Sequence, residues 1–259
     1  LKLPLPSGRA VPQAWLAFAI ALAWAVHPLQ VSTVLYVVQR MEMMSLTFVL
    51  LALLCYLTGR SRQLLGARAW PWLLACLPMV SLGLLAKETA ALFPAYALAL
   101  EVALLGFRTQ RDPAGRRWRT AYGLAVGIAV LGYLLWFVPT YVSPEAFSMR
   151  DYGPWERLLT QLRVLPLYIG WIVLPFPGSY HFYYDDFQPS LGLLHPAGTL
   201  AGAIFIAALL GLAAWLRRKL PLFSLGVLWF FAAHAVTSNI IPLELVFEHR
   251  NYFAILGVL

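Results

Sequence analysis

Charge is scarce in this sequence. Only 12% of its 259 residues are Asp, Glu, Lys or Arg, while 61% are apolar. A water-soluble domain carries about a quarter charged residues, so this chain has too few to cover a solvated surface. Cysteine is scarcer still. Cys55 and Cys76 both lie inside apolar stretches, which excludes a disulfide scaffold or a thiolate metal site and leaves them as small packing residues. Apolar–polar alternation of period two is missing, and with it the case for an outer-membrane barrel. No cleavable leader can be read at the start. The chain begins at Leu1 rather than Met and stops at Leu259 inside a fresh apolar run, so it reads as one transmembrane domain, 1–259, cut at both ends.

What the sequence has instead is a series of charge-free apolar blocks, at 43–59, 69–86, 120–139, 197–216 and 221–238. Each is long enough, at about 1.5 Å per helical residue, to reach across a hydrocarbon core of about 30 Å. Lipid offers no partner for backbone N–H and C=O groups, so such blocks must be helical. The expected fold is all-α, a polytopic bundle of about seven full spans with a partial eighth. The spans are placed at 11–26, 43–59, 70–86, 89–107, 120–139, 197–216 and 221–238, with the eighth starting near Tyr252. The segment 164–176 is short and holds Pro166 and Pro175, which suggests an interfacial or re-entrant helix.

A net charge of +8 invites a nucleic-acid reading, but the positions of the charges argue against it. Basic residues cluster between apolar blocks, as positive-inside anchoring predicts: Arg60, Arg62 and Arg68; Arg108, Arg111, Arg116, Arg117 and Arg119; Arg217, Arg218 and Lys219. With Lys2 and Arg9 on the same side, Asp112 is the single acid there. The opposite face then carries Arg40, Lys87, Arg150, Arg157, Arg163 and Arg250 together with most of the carboxylates.

Several segments on that outer face carry charge that anchoring does not require. They are His27-Pro28, the run Gln39 to Glu42, the tight turn Lys87-Glu88-Thr89, the aromatic and acidic run from His181 through Asp185 and Asp186 to Phe187, and the stretch from Ser238 through Glu244 to Glu248-His249-Arg250-Asn251-Tyr252. Charges of both signs at the edge of hydrocarbon are costly unless paired or hydrated, so they mark a candidate site. Cations there could hold an anionic lipid phosphate, and carboxylates could hold sugar hydroxyls, bind a metal or act as a base.

Each feature also has a plainer explanation. Lys87 and Glu88 could pair and cap a helical hairpin. Asp185-Asp186 could be a solvated loop tip. Two acids could hold a divalent cation, but without a third ligand they make a weak case for a metal, and no cofactor is otherwise called for. His27 could simply end a helix before Pro28. His234 reads as a satisfied packing histidine. Glu101, near the inner end of the fourth span, reads as hydrated or paired. Trp15, Trp70, Trp72, Trp136, Tyr141 and Trp155 fit an interfacial belt. The Glu248-His249-Arg250 cluster makes the best functional case, because three titratable groups crowd a helix start where an arginine opposes the dipole.

The same segments, in the same order, resemble a known family. His27-Pro28, Gln39-Arg40, Leu85-Ala86-Lys87-Glu88-Thr89 and Thr237-Ser238-Asn239 leading to Glu248-His249-Arg250-Asn251-Tyr252 are similar to the tetratricopeptide-repeat-linked transmembrane O-mannosyltransferases and their bacterial relatives, which are GT-C glycosyltransferases. The resemblance runs from about Ala21 to Tyr252. It implies a polyprenyl-phosphate sugar donor and a protein or glycan acceptor, in an enzyme embedded in membrane lipid. It implies that Arg40, Lys87 and Arg250 hold the phosphate, supported by His27, Glu42, Glu88, Glu248, His249 and Tyr252, with Asp185 and Asp186 as weaker candidates. The family's presumed catalytic carboxylate precedes the segment matched here and its soluble helical repeats follow it, so both are expected outside 1–259. A bacterial inner membrane, with the site facing the periplasm, is the expected location. Competing readings are another lipid-carrier enzyme, a transporter or flippase, and a non-catalytic membrane scaffold. A transporter would favour inverted repeats and helices broken near the midplane, and no internal repeat is found.

Overall fold

A computed structural model describes residues 13–109, 112–181 and 183–259. The expectations for Lys2, Arg9, the start of the first span, Arg111 and Phe182 lie outside the described residues. Within them the chain is all-helical, with no strand: α1 (Gln13–Ala25), α2 (Gln30–Leu35), α3 (Arg40–Leu64), α4 (Trp70–Ala86), α5 (Phe93–Leu100), α6 (Asp112–Gly132), α7 (Val138–Tyr141), α8 (Pro154–Val173), α9 (Gly198–Leu216), α10 (Pro221–His234) and α11 (Asn251–Val258). Proline in the first turn starts α4, α8 and α10, where its fixed φ suits a helix and its missing N–H costs nothing. A 3₁₀ turn, Glu88–Leu92, leads into α5 and a π turn, Glu101–Leu105, leaves it, so 88–105 forms one rod. Gly106, at φ +63°, ends that rod in the left-handed conformation that glycine tolerates.

Four helices are long and apolar enough to cross a membrane: Val37–Leu64, Glu88–Leu105, Gly115–Tyr141 and Gly198–Leu216. The expected count of seven is therefore corrected. Ala14–Ala25, Trp70–Ala86 and Pro221–His234 are apolar but shorter, each within 10–17 residues. Local features mark two of these ends. At Lys87 the backbone turns extended (φ −161°, ψ 148°), which stops α4 and swings the side chain toward α3. The helix expected to run to residue 238 stops at His234, and two carbonyls beyond it, of Thr237 and Asn239, are taken by Arg157 of α8.

The segment 164–176 is also corrected. It is not a separate short helix. Most of it is the second half of the 20-residue α8, which continues through Pro166 to Val173. Arg157, Gln161, Val164, Tyr168 and Trp171 recur every three or four residues and are all buried, so α8 presents one continuous face to the bundle. Elsewhere glycine sets the approach of helices. A Cβ at Gly226 would lie 2.1 Å from the carbonyl oxygen of Gly257, and one at Gly202 would lie 2.0 Å from that of Leu162. Only the missing side chains let α10 meet α11, and α9 meet α8, backbone to backbone.

Two ion pairs tie α3 to the rod 88–105 and to Lys87 just before it. Lys87 Nζ lies 2.7 Å from Glu42 Oε2, and Arg60 Nε lies 2.5 Å from Glu101 Oε1. The stretch of α3 between Glu42 and Arg60 is about 27 Å long at 1.5 Å per residue, close to the thickness of a hydrocarbon core. The two pairs therefore run α3 and the rod parallel and in register.

Arg60, expected as a loop anchor, is instead fully buried. Its guanidinium reaches both Glu101 oxygens, Gln63 and the Arg108 carbonyl. Glu101 also accepts from the Tyr56 hydroxyl at 2.7 Å and the Phe107 N–H at 2.9 Å, so the expected pairing of this carboxylate is seen in full. Tyr122 donates to Tyr56 at 3.0 Å and Trp118 lies against Arg60, which docks the start of α6. Further along, the apolar window of Gly115–Tyr141 buries no residue at all, and Leu124, Ile128, Leu131 and Leu135 stand exposed.

Candidate functional site

The site is built on a stretch of backbone that is not helical. After α10 the chain runs irregularly from Ala235 to Phe247, and its peptide groups need partners that a helix would have supplied. Helix α8 provides them. Arg157 Nε donates to the Asn239 carbonyl at 2.8 Å, Nη2 to Thr237 at 2.7 Å, and Nη1 to Glu244 at 3.0 Å and to Leu243. Gln161 donates to the Leu245 carbonyl at 3.0 Å, and the Phe247 N–H donates to the Tyr168 hydroxyl at 2.8 Å. Just before α8, Arg150 donates to the Pro242 carbonyl and Tyr152 to that of Leu243. This framework fixes the turn Glu248–Arg250 that opens α11.

Arg250 is buried there. Its Nη1 donates to the Glu244 carbonyl at 2.7 Å and its Nη2 lies 3.4 Å from the Glu244 carboxylate, which Arg150 also meets at 3.1 Å. Burial works against ionisation of Glu244. Hydrogen bonds from the backbone and Arg150, with the charges of Arg250 and Arg150, outweigh it and hold the carboxyl below its usual range.

Across from Arg250, a cavity of about 20 Å³ is lined by Glu42, Lys87, Thr89, Tyr96, Thr237, His249 and Arg250, with Ala233 and Phe253. That is room for one water molecule. Three polar atoms of its lining are buried without a hydrogen-bond partner: the Tyr96 hydroxyl, Thr237 Oγ1 and His249 Nδ1. A water or a ligand atom in the cavity could satisfy them. Burial, then the charges of Arg250 and Lys87, push the His249 imidazole down to about 3, so it stays neutral beside the two cations. Lys87 also donates to Gln39 at 3.1 Å.

The fold thus brings together Lys87, Arg250, Glu42 and His249 from segments far apart in sequence. Glu248 sits beside them, accepting from the Tyr184 hydroxyl at 2.7 Å. Arg40 is exposed at the first residue of α3 and does not line the cavity. Glu88 is exposed too, and Lys87 pairs with Glu42 rather than with Glu88 as a simple hairpin cap would require. Tyr252 packs α11 against α1, its ring 5.1 Å from Trp24. His27 accepts the Leu29 N–H at Nδ1 (3.2 Å), which leaves the proton on Nε2 to meet the Ile172 carbonyl at 3.0 Å. It closes the α1–α2 turn onto α8.

Asp185 and Asp186 form an exposed turn. Among the described residues, no three His, Cys, Asp or Glu side chains converge as a metal would need. His234 packs between the rings of Tyr168 and Phe230, but with neither nitrogen in hydrogen-bond geometry, so the expected satisfaction is absent.

Two residues of the site were not singled out from sequence. Arg157 carried a signal, since it opens the buried face of α8, but it was counted only as an outer charge. Tyr96 carried none, because nothing in the chain order tells that the rod 88–105 brings it to one point with Thr237 and Arg250. No family model, curated protein or solved structure matches this chain. Its function must be argued from the geometry of these residues.

Proposed function

We propose that this chain is the membrane portion of a GT-C-like glycosyltransferase, which moves a sugar from a polyprenyl-phosphate carrier to a hydroxyl of a protein or glycan. The observation that carries the reading is the convergence of Lys87 and Arg250, both largely buried, on a cavity with three unpartnered polar groups. It sits at one end of helices whose length matches a hydrocarbon core, where the phosphate of a membrane-borne carrier would lie. Their bare apolar flanks suit lipid better than water.

In transfer, the bond from the sugar's anomeric carbon to the carrier phosphate oxygen breaks and the acceptor hydroxyl oxygen takes its place. Negative charge gathers on the departing phosphate, and Lys87 and Arg250 are placed to stabilise it there. The hydroxyl proton passes to a carboxylate, expected outside residues 1–259. The cavity holds only a water-sized space, so a phosphate must displace Glu42 as the partner of Lys87. By the basic clusters of the opposite face, the site looks away from the cytoplasm, and in a bacterial inner membrane it would face the periplasm.

The test is transfer of radiolabelled sugar from polyprenyl-phosphate donors, in membranes containing the full-length protein. Lys87→Ala and Arg250→Ala should each abolish transfer with insertion intact, while Arg40→Ala, which does not line the cavity, should retain it. No transfer from any donor by correctly inserted protein would move the assignment to a scaffold or a transporter.

A further inference from the structure

The end of α3 opposite the Glu42–Lys87 pair adjoins a second hollow, and its charged lining is arginine alone. A pocket of about 420 Å³ is bounded by Gly106, Phe107 and Arg108, after the rod 88–105, and by Gly115, Arg116 and Arg119 of α6. That volume is in the range of small-molecule sites, roughly 300–1,000 Å³.

The backbone of this pocket is held from within the bundle. Gly106 and Phe107 both take positive φ, +63° and +56°, as the chain leaves the rod. For phenylalanine that conformation is costly. The fully buried Glu101 and Arg60 hold it, the first accepting the Phe107 N–H at 2.9 Å and the second donating to the Arg108 carbonyl at 2.9 Å. A Cβ on Gly115 would lie 2.8 Å from the Phe107 carbonyl oxygen, so α6 closes on this turn through a bare backbone.

The charges of the pocket are one-sided. Arg108, Arg116 and Arg119 are all exposed in its lining, and among the described residues no carboxylate joins them. Nor do their side chains take part in any of the ion pairs or cation–ring contacts of the described residues. By contrast, Arg62 lies over Trp72, Arg68 over Trp70 and Lys219 over Trp215. Glu101 is filled by Arg60, Tyr56 and the Phe107 N–H. Within 106–119, Asp112 is the single acid in the sequence against five arginines. Thr109 also lines the pocket, but it is already engaged and is not counted as a donor.

Three guanidinium groups around one hollow suit a phosphate, whose oxygens accept their N–H groups in pairs. The wall beyond the pocket says which kind of phosphate. Gly123, Gly127, Val130 and Leu134 follow Arg116 along one side of α6 at 3.6 residues per turn. Val130 and Leu134 are 52% and 55% exposed, and a Cβ on either glycine would meet nothing within 4 Å. An open apolar track that starts at a cluster of cations matches a molecule with a phosphate at one end and hydrocarbon at the other. A soluble phosphate would use the cations alone.

We propose that this pocket binds the phosphate of an anionic phospholipid, whose acyl chain lies along α6. Basic pockets at the ends of membrane helices recognise such head groups. The site stands apart from the cavity of Lys87 and Arg250, and it does not rest on the transfer reading.

Native mass spectrometry of the full-length protein in a non-ionic detergent tests this, with dioleoyl phosphatidylglycerol, dioleoyl phosphatidylcholine and inorganic phosphate as probes. Phosphatidylglycerol adducts are expected, at least about tenfold weaker in the double variant Arg116→Gln/Arg119→Gln, a loss of about 1.4 kcal/mol. The double variant Arg217→Gln/Arg218→Gln removes the same charge just beyond α9, outside the pocket, and should keep them. All four arginines are exposed, so helical circular dichroism should not change. Equal weakening in both double variants would reduce the pocket to general basic anchoring and overturn the proposal. Adducts that persist in Arg116→Gln/Arg119→Gln, or phosphatidylcholine binding as tightly, would overturn it too. Displacement of the lipid by inorganic phosphate would remove the lipid and leave a site for a soluble phosphate.

Discussion

Glu42 and Lys87 meet at 2.7 Å with side chains only 7% and 15% exposed, and each lines the cavity that Arg250 also lines. A carboxylate thus occupies the place an incoming anion would take. Under the proposed function the pair has a structural and a catalytic role, and the two can be separated.

Lys87→Met leaves Glu42 as a buried charge without its partner and should cost about 3–5 kcal/mol of stability. Adding Glu42→Gln should restore most of that loss without restoring sugar transfer. Denaturant titration in micelles, read beside the transfer assay, checks both. Full stability of Lys87→Met alone would show that the pair is not desolvated.

At the other end of α3, Arg60→Met should be as damaging to stability, again about 3–5 kcal/mol, because Glu101 would lose its bidentate partner at full burial. Glu101→Gln should cost as much, because it leaves the buried Arg60 guanidinium without a counter-charge and turns an amide NH2 toward donors that the carboxylate accepted. Protein that remains folded should transfer sugar normally, because these residues lie across the bundle from the cavity.

Arg157→Lys should loosen the irregular segment without unfolding the bundle. One ammonium cannot reproduce a planar fork that serves carbonyls of Thr237, Asn239, Leu243 and Glu244. Hydrogen exchange should rise in 237–250 and stay unchanged in α3 and α4. Unchanged protection in 237–250 would mean that Arg157 does not hold it.

Stability should fall as pH drops below about 6.5, the ordinary value for histidine, because the unfolded chain then takes up a proton on His249 that the folded site refuses until about pH 3. Glu244, held below 4.5, contributes to the acid loss only below that pH. His249→Gln should therefore lessen the fall of the melting temperature between neutrality and about pH 5. An unchanged slope would place the titrating group elsewhere.

The helical class and most boundaries were legible in the sequence because lipid imposes them: an apolar run without charges has one conformation open to it. Length was less legible. Nothing in the run 221–238 reveals that α10 unwinds at His234, since the donor that receives the freed carbonyls is Arg157, about eighty residues earlier. The site was half legible. Lys87, Glu42, His249 and Arg250 stand out as charges where anchoring needs none, whereas Arg40 stands out equally and lies apart. Charge alone does not say which face of a helix a residue takes. Arg60 shows the converse, a residue indistinguishable in sequence from its basic neighbours Arg62 and Arg68, yet fully buried.

The dependence of residues 235–247 on α8 also sets an order of events in the life of the molecule. Buried carbonyls need partners, so this stretch cannot take its folded path until α8 is there to supply them. Helices α3 to α5 can assemble with their own two ion pairs, but the Arg250 wall of the cavity comes last, once the C-terminal third has docked. A chain halted before that point would be inserted, helical and inert.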